Sequence, residues 1–305
     1  MPETNSDAPA KDEPKGVFEK LGAALPVGLT ALATVFAGMS TGALQQAMYW
    51  KSQSAQDQAK ATNQWTLAGF KRDRALVMQT TAAQLRAMSG YSPATFSVPA
   101  NPKPELERAV EWLTKNGPPR AELPKVEDPA ITELLDAIRT REPEHDILTK
   151  ASKVKFESIN KVIDDAEKAS ETLDRDWDPS VKAAAALVAD ETKVKADDPK
   201  RAEKLSNATA AQAAGFEMEQ RRYRAESTLN QGIGYLYEAR VKITSAESDK
   251  HRQKSQHFFL AMLAAQIGAT ISAMALARRQ KSALWFFASL VGLISIGYGA
   301  YVFLT

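Results

Sequence analysis

The chain has 305 residues, a net charge of +2, 44% hydrophobic residues and 25% charged residues. These averages match an ordinary globular protein, but they hide a sharp partition. Long apolar runs fall in residues 21–50 and 258–305, and the polar middle is nearly neutral, without the Lys/Arg excess of a nucleic-acid binder. The absence of cysteine excludes disulfides, thiolate metal sites and Cys nucleophiles. The three histidines, His145, His251 and His257, are too scattered for metal-ligand spacing.

Residues 1–20 begin MPETNSDAPAKDEPK. A polar, proline-containing start of this kind is expected to be disordered. An uncharged run from Leu21 to Met48 follows, longer than the roughly 20 residues that cross a bilayer core. It is also longer than the roughly 7–15-residue apolar core of a cleaved signal peptide, so 21–50 reads as an uncleaved transmembrane helix. Pro26 sits in its first two turns, and Tyr49 and Trp50 mark its far interface.

The region 51–257 is expected to lie outside the membrane and to be helical, since no segment sustains strand alternation. Residues 51–88 continue the first span as an outgoing helix, with Ala55, Thr62, Gly69, Leu76 and Ala83 as a faint seven-residue row. Residues 89–198 form a small cap. Three Asp-Pro pairs, Asp128-Pro129, Asp178-Pro179 and Asp198-Pro199, read as helix starts. They give helices over 129–141, 179–197 and from 199 onward, beside others at 105–116 and 145–173. Residues 199–257 form the returning helix, with a heptad-like coiled-coil seam at Leu229, Ile233, Leu236 and Ile243. The fold expected is all-α: three transmembrane helices, a long antiparallel helical stalk and a small helical cap.

Two more spans close the chain, 258–277 and 283–304, separated only by Arg278, Arg279, Gln280, Lys281 and Ser282. So short a loop forces an antiparallel hairpin. Its positive charges place 278–282 and the N-terminus in the cytoplasm and 51–257 in the periplasm. Basic residues near the outer end of the second span oppose this orientation.

Small residues let helices approach closely in lipid. Gly38 and Gly42 make a GxxxG pair in the first span. In the second, Ala261, Ala265, Ala269 and Ala273 form one row, and Ala264, Gly268 and Ser272 another. These are candidate helix-packing interfaces, against the plainer reading that Ala and Gly are common in spans. Gln266 is the strongly polar side chain at mid-span. No ionisable group lies inside a span, which argues against a pump, a proton-coupled transporter or a classical channel and leaves a hydrophobic-gated pore open.

No Walker loop, GxGxxG or GxSxG occurs. Carboxylate pairs such as Asp164-Asp165 lie among Lys and Arg and read as solvated helix faces. No catalytic, cofactor-binding or metal site is expected, and no small-molecule substrate is identified.

Two segments resemble a known family. One is Ala61-Thr-Asn-Gln-Trp-Thr-Leu-Ala-Gly-Phe-Lys71. The other is the hairpin from His251 to Gly299, with its basic approach, Ala-rich span with a central Gln-Ile, basic turn and Leu-Trp opening. Both are similar to bacterial membrane proteins grouped as domain of unknown function 4337. The resemblance implies a bacterial inner-membrane protein and supplies no activity.

The leading expectation is a membrane-anchored helical scaffold or accessory subunit without catalysis, a homo-oligomer or part of a larger membrane complex, with membrane lipids as partners. The alternative is a pore-forming or channel-regulating oligomer using Gln45, Gln46 and Gln266. An envelope sensor ranks third, for want of an output module.

Overall fold

The computed structural model describes residues 17–118, 122–195, 198–277 and 283–304. The expectations for residues 1–15 and for the basic loop 278–282 lie outside the described residues. Among those described there are helices and no strands. Seven α-helices follow one another: α1 (Val17–Met88), α2 (Pro104–Glu111), α3 (Pro129–Thr140), α4 (Glu144–Ala151), α5 (Phe156–Glu191), α6 (Arg201–Ala277) and α7 (Ala283–Leu304). Helices α1, α6 and α7 are long and apolar enough to cross a membrane, consistent with a multi-pass membrane protein.

The first apolar run and the polar segment after it form one helix, α1, of 72 residues. The threonine hydroxyls of its apolar part are satisfied along the helix: Thr30 donates to the Pro26 carbonyl and Thr41 to the Ala37 carbonyl, at 2.8 and 2.9 Å. The helix ends where Gly90 and Tyr91 turn to positive φ.

The Asp-Pro pairs behave differently from one another. Asp128 is the N-cap of α3, its carboxylate accepting from the Ala130 amide at 3.0 Å. Asp178-Pro179 starts nothing: α5 runs through Pro179 to Glu191, and the Asp178 carboxylate takes Lys182 at 2.5 Å instead. A proline inside a helix costs about 3 kcal/mol. Here buried Trp177, Ser180 and Ala184 flank it, and Trp177 packs edge-on to Trp112 at 6.0 Å, so tertiary burial outweighs the local breaker. Asp198 accepts from the Lys200 amide at 2.9 Å in the turn before α6, which begins at Arg201. The helix expected over 145–173 is two helices, because Ser152–Lys155 turn and bury Val154 between α4 and α5.

The chain divides into two compact units, Ser52–Ala246 and a second from Met1–Lys51 with Glu247–Thr305. Each is built around α6.

In the Ser52–Ala246 unit α6 has two buried sides. One faces α3, α4 and the first half of α5. There Leu229, Ile233, Leu236 and Ile243 join Ile131, Leu134, Ile147, Ile159 and Ile163 in the main core. The expected stalk seam therefore packs against the helices of the middle region. A smaller core joins α2 and the π-helical turn after it to α5 and α6 through Ala109, Trp112, Leu113, Trp177, Ala184, Ala214 and Met218.

The other buried side of α6 faces α1. Ser54 shares a 3.0 Å hydroxyl bond with Ser245, Trp65 donates to Glu238 at 2.7 Å, and Ser227 donates to the Ala68 carbonyl at 2.8 Å. Lys71 pairs with Glu226 at 3.0 Å and Arg86 with Glu217 at 2.9 Å. As the α1 number rises, the α6 number falls. On α1 the buried positions are Asp57, Ala61, Ala68, Ala75 and Ala82. The row at Ala55, Thr62, Gly69, Leu76 and Ala83 is displaced by one residue from this seam. Four of its members are exposed and Gly69 is half-buried; the burial direction, which a period alone does not give, selects Ala61 and its repeats.

In the other unit the apolar part of α1 packs on α6 and α7. Ser40 and Ser255 exchange hydroxyl-to-carbonyl bonds, each 2.9 Å. Ser248 donates to the Ala47 carbonyl at 2.9 Å. Ser295 of α7 donates to the Ala261 carbonyl of α6 at 2.8 Å. Phe36 stacks on Phe258 with centroids 6.4 Å apart.

Candidate functional site

Two constellations are built well enough to carry function: the small-residue seams of the apolar helices and a buried polar chain in the Ser52–Ala246 unit.

On α6 the buried seam is Ala261, Ala265, Gly268, Ser272 and Ala275. On α7 it is Ala288, Gly292, Ser295, Gly299 and Val302. Both alternate steps of four and three residues, the spacing of close-packed helices. A side chain at Gly268 would meet Leu29 at 3.1 Å and the Ala288 carbonyl at 3.5 Å. One at Gly299 would meet the Phe36 ring at 2.2 Å. The glycines thus admit α1 side chains against the hairpin.

Of the residues singled out by sequence on α6, Ala261, Ala265, Gly268 and Ser272 lie in this seam. Ala264 and Ala269 are half-buried at its edge, and Ala273 is exposed. The seam crosses between the two four-residue rows because a helix repeats every 3.6 residues. The α7 half has its signal in Ala288, Gly292, Ser295 and Gly299, small residues at the same spacing. Gly38 and Gly42 are both exposed, and added side chains there would meet nothing. They take no part in packing within the chain. Gln266 also faces outward, and its carboxamide has no hydrogen-bond partner among the described residues.

The polar chain crosses the core of the Ser52–Ala246 unit. Asp57 is fully buried and accepts from Arg240 at 2.6 Å and from Gln53 at 3.3 Å. Arg240 donates a second bond to Asn160 at 3.0 Å and lies over the Tyr237 ring at 4.8 Å. Tyr237 donates to Glu167 at 2.6 Å; burial, first, and then that bond push its phenol well above the ordinary tyrosine range. Asp57 Oδ2 and Arg240 Nε remain buried without partners.

A second polar layer lies further along. Nearly buried Glu226 accepts from Lys71 at 3.0 Å and Arg222 at 2.7 Å. Desolvation raises the neighbouring Glu219 and Asp174 carboxyls. Lys71 ties α1 to α6 through Glu226, and Arg222 also pairs with Glu219 at 3.8 Å along α6. No group of three or more His, Asp or Glu suited to a metal ion occurs among the described residues.

Comparison with curated proteins returns no match, and comparison with solved structures returns none either. A family model described as Domain of unknown function (DUF4337) matches residues 158–305. The match takes in nearly all of α5 and the whole of α6 and α7, including the hairpin from His251 to Gly299. Ala61–Lys71 falls outside it. Over its C-terminal part, from Ser158 to Thr305, this chain is similar to the DUF4337 family.

Proposed function

We propose that the protein is a membrane-anchored helical scaffold or accessory subunit that self-associates or joins a larger membrane complex, and that it performs no catalysis. On this reading the apolar parts of α1, α6 and α7 span a bacterial inner membrane. The polar parts of α1 and α6 form an antiparallel stalk, and α2–α5 a cap on it. The falling order of α6 partners along α1 supports the stalk. Its buried polar groups tie helix to helix, as suits a strut.

The observation that carries self-association is Gln266. Its carboxamide is exposed on an apolar helix between exposed Leu263 and Ile267, and an unpaired amide in hydrocarbon is costly. A partner span that hydrogen-bonds it removes that cost. The test exploits the absence of cysteine: Gln266→Cys is introduced into the full chain and oxidised in native membranes. A disulfide-linked dimer or a crosslink to another membrane protein is expected, with none at Ile294→Cys on α7. A strictly monomeric, uncrosslinked protein would end this reading.

A second reading, a pore-forming or channel-regulating oligomer, is favoured by Gln45 and Gln46, exposed polar residues beside the apolar part of α1. Planar-bilayer recordings separate the two. Absence of conductance from reconstituted oligomer removes the pore.

A further inference from the structure

An open cleft of about 570 Å³ lies between α1, α6 and α7, at the end of the apolar runs. Its floor is apolar: Met39, Gly42, Ala43, Phe258 and Phe303. Its rim is polar, formed by Gln45, Gln46 and Tyr49 of α1 with His251 and Lys254 of α6. The lining contains no carboxylate.

The charges around it are unequal. Glu247 and Asp249, the nearby acids on α6, are engaged by Lys250 at 4.0 Å and Arg252 at 3.4 Å. Lys254 is half-buried and makes no ion pair among the described residues, and neither does Lys51. Lys254 stands one turn before Phe258, which is held by Phe36, and beside Ser255, which is bonded to Ser40. Its backbone is thus fixed by two contacts between α1 and α6. An unpaired cation set over an apolar slot is complementary to a molecule with an anionic head and a hydrocarbon tail. Aromatic Tyr49 at the same level, edge-on to Trp50 at 5.4 Å, suits the headgroup boundary of a bilayer. Basic pockets between spans bind anionic headgroups by this chemistry.

We infer that this cleft binds an anionic phospholipid of the surrounding bilayer. The phosphate is held by Lys254 with His251 and the glutamine amides, and an acyl chain lies over Gly42 between Met39 and Phe303. Gly42 matters because it leaves the slot open: a side chain there would meet nothing within 4 Å, so a larger residue fills the slot without disturbing the helices. The inference rests on the membrane placement proposed above.

The test uses full-length protein in phosphatidylcholine vesicles doped with a photoactivatable phosphatidylglycerol or, separately, phosphatidylcholine bearing the same diazirine acyl chain. Labelling of the Lys20–Lys51 tryptic region by phosphatidylglycerol is expected to exceed that by phosphatidylcholine several-fold. It should fall to the phosphatidylcholine level in Lys254→Glu and in Gly42→Leu. It should persist in Gly38→Leu, a substitution on the same helix outside the cleft. Excess inorganic phosphate should not compete, which distinguishes a lipid from a free anion. Equal labelling by both lipids, unchanged labelling in Gly42→Leu, or displacement by phosphate would overturn the inference. Release of the protein from vesicles by alkaline carbonate would instead sink the membrane placement itself. A protein that stays embedded but labels without headgroup preference sinks only the lipid site.

Discussion

Arg240 reaches Asp57 at 2.6 Å although 183 residues separate them, and the acceptor is wholly shielded from water. Removing one member of such a buried pair strands the other charge, typically at about 3–5 kcal/mol. Asp57→Ala should therefore lower the unfolding free energy by that order, measured by denaturant titration in detergent. Replacing both, as Asp57→Leu with Arg240→Met, should recover most of the loss. A double variant as unstable as Asp57→Ala would show that the pair contributes more than mutual compensation.

Close approach along α1 and α6 depends on Ala68, which is buried and whose carbonyl accepts the Ser227 hydroxyl at 2.8 Å. Ala68→Leu adds volume where none is free. The expected loss is about 1–3 kcal/mol. Leu67→Ala, one residue away and partly exposed, should be nearly neutral in the same titration.

The α7 seam makes a sharper contrast. A side chain at Gly299 would collide with the Phe36 ring at 2.2 Å, whereas one at Gly297 meets nothing. Gly299→Val should destabilise by about 1–3 kcal/mol and raise proteolysis of α7. Gly297→Val should be tolerated. Equal sensitivity at both positions would contradict the packing of α1 against the hairpin.

Acid should loosen the Arg86–Glu217 tie. Its hydrogen bond to Arg86 holds the Glu217 carboxyl below the ordinary value of 4.5, so the folded state binds fewer protons there than the unfolded state. The stabilisation is complete above about pH 4.5 and is lost as pH falls through the depressed folded value. The gap in thermal stability between the native chain and Arg86→Gln should shrink across that window. Glu219 has the opposite sign. Desolvation raises its carboxyl above 4.5, so its contribution falls as pH rises through the interval between the unfolded and folded values. Glu219→Gln should accordingly be more stable than the native chain at neutral pH.

Much of the architecture was legible because its signals are local. Uncharged apolar runs identify the helices long and apolar enough to cross a membrane, and Asp128-Pro129 marks a helix start through its own carboxylate. The same dipeptide at Asp178-Pro179 misleads, because burial of Trp177 and Ala184 decides the matter and lies outside the dipeptide. Periodicity also leaves direction open. Leu229, Ile233, Leu236 and Ile243 announce a buried face, but α6 has two buried sides, and these residues belong to the one facing α3–α5. The seam facing α1 is written in Ser and Glu, at Ser245, Glu238, Ser227 and Glu226, which carry no hydrophobic signal. Asp57, Arg240, Asn160, Tyr237 and Glu167 come from three helices far apart in the chain, and no spacing rule joins them. The cleft at Lys254 is likewise assembled from both ends of the sequence.

Ala61, Ala68, Ala75 and Ala82 repeat at the same interval, like identical teeth on a rack. A rack of equal teeth can mesh one notch out of place, here a slide of seven residues or about 10 Å, with little penalty from shape. Asp57 breaks that degeneracy. One notch away it would confront Ile233 or Glu247 in place of Arg240, an apolar group or a like charge. The buried charge, with the Lys71–Glu226 and Arg86–Glu217 pairs further along, thus indexes the rack, so that α1 and α6 have one alignment out of several that alanine alone would allow.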